Sequence, residues 1–369
     1  MPMNRPAAAA LAATLCLLTA ACGSPPADQA GENGDHGADG TRTEAADAAG
    51  RTGYPVTLEN CGQKQTFEKA PSRVVVMNGA SVAEVSTLLA LGLGDRIVAN
   101  QQSYGRSEVP GRAAAIKALP TGDIKLNEAY DIPREAMLGL RPDLVLSVSR
   151  YGFDEKNGFA TRDQLKQVGA NSYISPQGCD DDPARMTVAD SYRLLRDMGR
   201  IFDVGDRAEK LIAASEKKIA AVSDKVKAKA EGNGKMAGTP RGRKPPQVMV
   251  LFSNMAMGGN DFSSVVSKGI VNDILAKAGG ANAFESASRT TFADLSKEKV
   301  AATDVDALVV IGYNDPNPAA YAKKLLKEFP QWPAAENNTY VTLSDSMYLG
   351  PSNDLAVRKV AEMLHPDAL

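Results

Sequence analysis

Histidine is nearly missing from this chain: 369 residues contain only His36 and His365. An imidazole cage for bare zinc or manganese, a histidine-ligated heme, and a serine or cysteine nucleophile with a histidine base all need that residue in the right place. His36 sits in a stretch without apolar pattern and His365 four residues from the end, so none of the three is favoured. Tryptophan occurs once, at Trp332, which argues against a strongly aromatic ligand platform, though ten tyrosines could serve instead. No sign of charge dominates, with 42 Lys plus Arg against 44 Asp plus Glu. The excess acid lies early, where Asp28, Glu32, Asp35, Asp39, Glu44 and Asp47 face only Arg42 and Arg51. The remaining body is near neutral and lacks the basic footprint of a nucleic-acid binder. A Gly-x-Ser-x-Gly elbow and a Walker loop are also missing. The reading is therefore of a protein with no catalytic residues, no metal ligands and no cofactor of its own.

Cysteine is scarce too, and its four positions divide by context. Residues 1–21 carry Arg5, an apolar run from Pro6 to Leu18 and small residues before Cys22. That pattern reads as an export signal, shorter than the ~20 residues needed to span a bilayer. Cys16 belongs to it. The run Leu18-Thr19-Ala20-Ala21-Cys22 resembles a bacterial lipobox, which implies that Cys22 is acylated and anchors the chain to the outer face of the cytoplasmic membrane. Thr19 departs from the usual large aliphatic residue at that place. Residues 22–53, rich in Gly, Ala, Asp and Thr, read as a flexible tether. Cys61 and Cys179 remain, and in an exported protein their simplest use is a disulfide; a metal-thiolate or nucleophilic role would need a histidine nearby.

The length leaves room for two domains. Tyr54 to Phe67 reads as a hairpin around Asn60, Cys61 and Gly62. A doubly wound α/β pattern follows, with strands at Arg73–Met77, Arg96–Ala99, Leu144–Val148 and Tyr173–Ser175 and helices at Val82–Leu91 and Gln164–Val168. Residues 101–130 read as a mostly polar loop. Thr187 and Asp190 are spaced as a capping box for a helix to Phe202. Asp206 to Ala230 reads as a longer helix between two halves, and 231–246 as a surface loop. The grammar then restarts, with strands at Val248–Phe252, Ala307–Ile311 and Thr339–Leu343 and helices at Ile270–Ala278, Tyr321–Phe329 and Asp354–Leu364. The expected division is a lobe at 54–204, an interlobe helix at 205–230 and a second lobe at 247–369.

One unit occurs twice. Ile132–Val148 and Leu295–Ile311 each place a glutamate at a helix start, Glu135 and Glu298, and an aspartate eight residues later, Asp143 and Asp306, before a run of branched apolar residues. Unbroken apolar runs of this kind suit strands of a parallel sheet buried on both faces. A carboxylate in the first turn of a helix is favoured by the helix dipole and leaves its oxygens open to bidentate bonds from arginine.

Four segments, Pro71 to Val76, Leu88 to Val98, Leu140 to Leu146 and Ile274 to Gly280 with Asn282, resemble the substrate-binding lipoproteins of ABC importers in the iron-siderophore and vitamin B12 family. The resemblance covers most of 54–369. It implies two Rossmann-like α/β lobes joined by a single long α-helix, a ligand held between them, and an ABC permease docked through one glutamate per lobe, here Glu135 and Glu298. It further implies a small-molecule iron chelate as cargo, with the iron bound through the chelator. Bulky ferric chelates suggest an arginine and tyrosine lining, for which the loops at the strand ends offer Tyr104, Arg106, Arg150, Tyr151, Tyr313 and Tyr348, with Met255 as an adaptable apolar contact. A corrinoid or heme is the alternative cargo. An exported enzyme working through carboxylates alone, or a sensor module, is the rival class.

Overall fold

Short, uninterrupted runs of branched residues build the two sheets. The computed structural model describes residues 53–79, 81–103, 105–179, 183–233, 244–253, 262–266, 268–288, 290–312 and 315–369. The first part comprises β1 (Val56–Asn60), β2 (Gln63–Phe67), β3 (Val74–Val76), α1 (Ala83–Ala90), β4 (Ile97–Asn100), α2 (Arg112–Lys117), α3 (Arg134–Gly139), β5 (Leu144–Ser147), α4 (Arg162–Gln167), β6 (Asn171–Ile174), α5 (Pro176–Cys179) and α6 (Val188–Ile201). The long helix α7 (Gly205–Asn233) follows. The second part holds β7 (Gln247–Ser253), β8 (Ser263–Val265), α8 (Ile270–Lys277), β9 (Ala281–Asn282), β10 (Phe292–Asp294), α9 (Lys297–Ala301), β11 (Ala307–Gly312), α10 (Pro318–Glu328), α11 (Pro333–Glu336), β12 (Tyr340–Leu343) and α12 (Asn353–Leu364). Among the described residues no helix is long and apolar enough to cross a membrane. Cys22 and residues 1–21, read above as an export signal, lie outside the described residues.

The first sheet is parallel, in the order β4-β3-β5-β6. The second runs β10-β8-β7-β11-β12, with β7, β11 and β12 parallel and β8 and β10 added antiparallel at one edge. Those two antiparallel strands are absent from the sequence reading; at three residues each they are too short to show a period. α2 likewise lies inside a stretch read as loop. The long helix extends to Asn233, three residues past its expected end.

Alternate residues of the central strands serve different cores, as a period of two requires. Val75, Met77 and Val145 face an outer cluster of the first sheet with Phe159 and Leu165. Met249, Leu251, Leu308 and Val310 face an outer cluster of the second with Phe329 and Trp332. The other faces, Val74, Val76, Leu144 and Leu146 in one sheet and Val248, Val250, Val309 and Ile311 in the other, belong to one continuous core together with Leu195, Ile201, Ile219, Val357 and Val360 of α6, α7 and α12.

The aspartate of the repeated unit has the same task in both copies. Asp143 accepts hydrogen bonds from the Ser72 amide (2.7 Å), the Ser72 hydroxyl (2.9 Å) and the Arg73 amide (2.8 Å), where the chain enters β3. Asp306 accepts one from the Gln247 amide, at 2.7 Å, at the start of β7. Each carboxylate thus pins the neighbouring parallel strand in register at its first residue. Replacing Asp143 by alanine is expected to cost about 2 kcal/mol and replacing Asp306 about 1 kcal/mol, following the number of charge-assisted bonds lost. Urea denaturation with an unchanged slope is the measurement, and equal costs at both positions would contradict the counting.

The free edge of β6 is covered by the hairpin. The Asn60 amide group donates to the Ile174 carbonyl and its oxygen accepts from the Ile174 N–H, both at 2.8 Å, while the Gln65 side-chain oxygen accepts from the Ser172 N–H at 3.1 Å. Two side chains therefore stand in for a fifth strand and block edge-to-edge pairing. The Cys61–Cys179 disulfide closes beside them.

Candidate functional site

Parallel strands deliver their following loops to one end of the sheet, and both sheets turn that end toward a shared cavity. The cavity holds about 540 Å³, within the usual range for small-molecule sites. From the first part come Ser81, Val148, Ser149, Gln177 and Met186; the larger wall comes from the second, chiefly Phe252, Ile270, Thr291, Phe292 and Met347 to Leu349. Phe252 is the hub of the aromatic wall. Its ring meets Phe292 edge-on at 5.2 Å and lies 6.4 Å from Tyr348. Lys268 is the one charged side chain among the described lining residues, and its ammonium stands 3.9 Å from Glu285.

Two buried acids hold the loops of the first part together. Glu84 is 1% exposed and accepts hydrogen bonds from the Gln102 amide (2.5 Å) and the Ser175 hydroxyl. Burial pushes its carboxyl above the ordinary value, and the two hydrogen bonds offset only part of that rise. Asp131, which accepts from the Asn78 and Ile132 amides, is likewise pushed up by burial to about 6. Both acids brace the loops that follow β3, β4 and β6.

Of the anticipated ligand residues, Tyr348 lines the cavity. Arg106 reaches across from the first part to the second, donating to the Pro316 carbonyl at 3.2 Å, and is not part of the lining. Arg150 faces a separate hollow of about 270 Å³ beside the disulfide and donates to the Cys179 carbonyl. Tyr151 is 54% exposed, edge-on to Phe159 at 5.7 Å. Tyr104, Met255 and Tyr313 lie outside the described residues. The expected arginine lining is thus replaced, among the described residues, by aromatic and aliphatic groups. Phe252 carried a usable signal, since it closes an apolar run; Phe292 and Met186 carried none. Trp332 is buried in the second part's outer core, stacked on Phe329 at 4.4 Å, and has no part in the cavity.

Glu135 and Glu298 occupy matched places, in the first turns of α3 and α9, immediately before the central strands β5 and β11. Both are held below the ordinary carboxylate range. Each accepts from its own backbone N–H, assisted by the Arg134 side chain in one case and the Ser296 hydroxyl in the other. The Arg134 guanidinium stands 3.0 Å from Glu135, whose side chain is 75% exposed.

Comparison with known proteins decides what this arrangement is. Residues 74–346 match the family model described as periplasmic binding protein. The chain belongs to that family. A periplasmic binding protein is a solute-binding component of ABC transport, acting outside the cytoplasm on a small molecule that it passes to a permease. No protein of curated function matches this one in sequence. Among solved structures, this periplasmic binding protein is similar to an ABC-type Fe3+-hydroxamate transport protein from Saccharomonospora viridis, at 24% identity over 85% of this chain and 99% of that one, TM-score 0.62. It is also similar to a periplasmic heme-binding protein from Roseiflexus, at 23% identity over 81% and 99%, TM-score 0.55. A third is a Helicobacter pylori protein with Ni(II) bound, at 17% identity over 85% and 90%, TM-score 0.57. At these identities the likeness establishes the two-lobed α/β fold.

Proposed function

We propose that this periplasmic binding protein captures a ferric siderophore of low net charge in the interlobe cavity and hands it to an ABC permease through Glu135 and Glu298, with Cys22 as its lipid anchor. The observation that carries the cargo is the lining: aromatic and aliphatic side chains with Ser, Thr and Gln among them, and a lone lysine near a glutamate. A dry wall of this kind would leave a multiply charged complex without counter-charge, at a cost of several kcal/mol. Three hydroxamate groups cancel the charge of Fe3+, whereas three catecholates leave the complex at about −3 by the same count of charges. The Fe3+-hydroxamate transport protein among the structural neighbours supports the same class.

Calorimetric titration is the test, because the sole tryptophan lies away from the cavity. A neutral ferric tris-hydroxamate, a ferric tris-catecholate, cobalamin and heme are titrated in turn. The tris-hydroxamate is expected to bind at least about 100-fold more tightly than the tris-catecholate, close to 3 kcal/mol. Binding of cobalamin or heme alone would replace the siderophore with that cargo. Binding of the catecholate alone would keep the siderophore and overturn the charge argument.

A further inference from the structure

Loop 107–109, after β4, meets residues 344–346, after β12, through two acids that exchange hydrogen bonds. Asp345 accepts from the Ser107 hydroxyl at 2.7 Å and from the Glu108 amide at 3.2 Å. Glu108 accepts in return from the Ser344 hydroxyl at 2.9 Å and from the Ser346 amide at 3.0 Å. All four bonds join the first α/β part to the second. Asp345 is only 6% exposed and Glu108 is half-buried. Two carboxylates brought together in this way repel each other when both are ionised. The segment they hold continues directly into Met347, Tyr348 and Leu349 of the cavity wall. On its far side Asn353 anchors the same segment, donating to the Ser346 and Tyr348 carbonyls at 2.8 and 2.7 Å.

We propose that Glu108 and Asp345 are positioning residues, a clasp whose four crossed hydrogen bonds close loop 107–109 onto residues 344–346 and thereby set the cavity wall at Met347 to Leu349. The clasp rests on the interlobe geometry alone and stands whatever the cargo is.

Its surroundings define its pH response. Burial, with the Glu108 charge opposite, raises Asp345 to about 6. Burial acts upward on Glu108 as well, but hydrogen bonds from Ser346 and Ser344 outweigh it and the net shift is downward. Arg112 of α2 is the cation facing Asp345; its guanidinium also donates to the Ser86 carbonyl. On the elements packed against residues 345–347, Asp354 of α12 pairs with Lys218 at 2.9 Å and Asp273 of α8 with Lys277 at 3.0 Å, while α12 also carries Arg358, Lys359 and Glu362. Arg106, two residues before Glu108, points to the Pro316 carbonyl. The closed clasp therefore holds one proton from just above the ordinary carboxylate range up to about pH 6, where an open pair would hold none. Closure is favoured in that window. The contribution of Asp345 is lost as the pH rises through about 6, when the proton leaves, and that of Glu108 is lost as the pH falls through its lowered value.

Native-state hydrogen exchange on the cargo-free chain tests this, with rates corrected for intrinsic pH dependence. Protection of the Glu108 and Ser346 amides, referred to amides of β5, is expected to fall roughly tenfold from pH 5 to pH 8, the fall set by a proton that leaves near pH 6, about one unit above the starting point. Asp345→Asn keeps the shape and donates a fixed hydrogen to Glu108, so its protection should be high and flat across the same range. Asp345→Ala should be low and flat. Wild-type protection unchanged between pH 5 and 8, or a tenfold fall that survives in Asp345→Asn, overturns the clasp. A lower but equally sloped profile in the variants would mean a purely structural contact.

Discussion

Exchanging Glu135 and Glu298 together for alanine is expected to abolish uptake of iron chelate into cells while leaving solution affinity for the same chelate unchanged. Both side chains are exposed and outside the cavity, so removing them cannot alter its walls. Both are held ionised by hydrogen bonds to the charged form, from their own amides first, so their negative charge persists through any physiological pH. Each single variant should reduce uptake by about tenfold or more, the loss typical of one arginine–carboxylate contact at an interface. Charge reversal to lysine should be worse than alanine, because it sets a positive charge where the proposed docking contact calls for a negative one. Calorimetry on purified variants separates the two effects. A matching loss of affinity would assign these glutamates to the cargo and remove them from the docking surface.

Reduction of the Cys61–Cys179 bridge is the second large effect. The disulfide closes a loop of 118 residues that contains every strand of the first sheet. Constraining a loop of that length in the unfolded chain is worth about 4 to 5 kcal/mol. The hairpin depends on it further, since Asn60, the neighbour of Cys61, supplies both hydrogen bonds that cap Ile174 on the edge of β6. Urea midpoints of the oxidised chain, the reduced chain and a Cys61→Ala, Cys179→Ser double variant should show the oxidised form alone displaced upward. The reduced and doubly substituted forms should agree, and a difference between them under 1 kcal/mol is the expected control. Equal midpoints for all three would mean that the hairpin is held by its hydrogen bonds alone.

Much of the architecture could be read from residue pattern because it is locally encoded. Val74 to Val76, Leu144 to Leu146 and Ala307 to Ile311 are unbroken apolar runs, and each became a central parallel strand. The capping box of Thr187 and Asp190 opens α6 as spaced, the Asp190 carboxylate accepting from the Thr187 amide at 2.9 Å. What stayed hidden is encoded across distance. Glu108 and Asp345 are 237 residues apart and lie in loops that read only as polar. Phe252 and Phe292 meet only because β10 joins the sheet through β8, and neither short strand announces itself. The repeated Glu and Asp were visible as a pair, but their division of labour needed the register: Asp143 and Asp306 hold strands, while the glutamates remain free to face outward.

The core that runs unbroken from β3 and β5 through α6, α7 and α12 to β7 and β11 has a consequence for how the molecule comes apart. Neither sheet encloses the apolar face it turns to the helices; that face is sealed by side chains the other half also uses. Melting either sheet would strip cover from its counterpart. The two halves are therefore expected to share a single cooperative transition in which calorimetric and van't Hoff enthalpies agree, and a fragment carrying one half alone would lack the surface that seals its core.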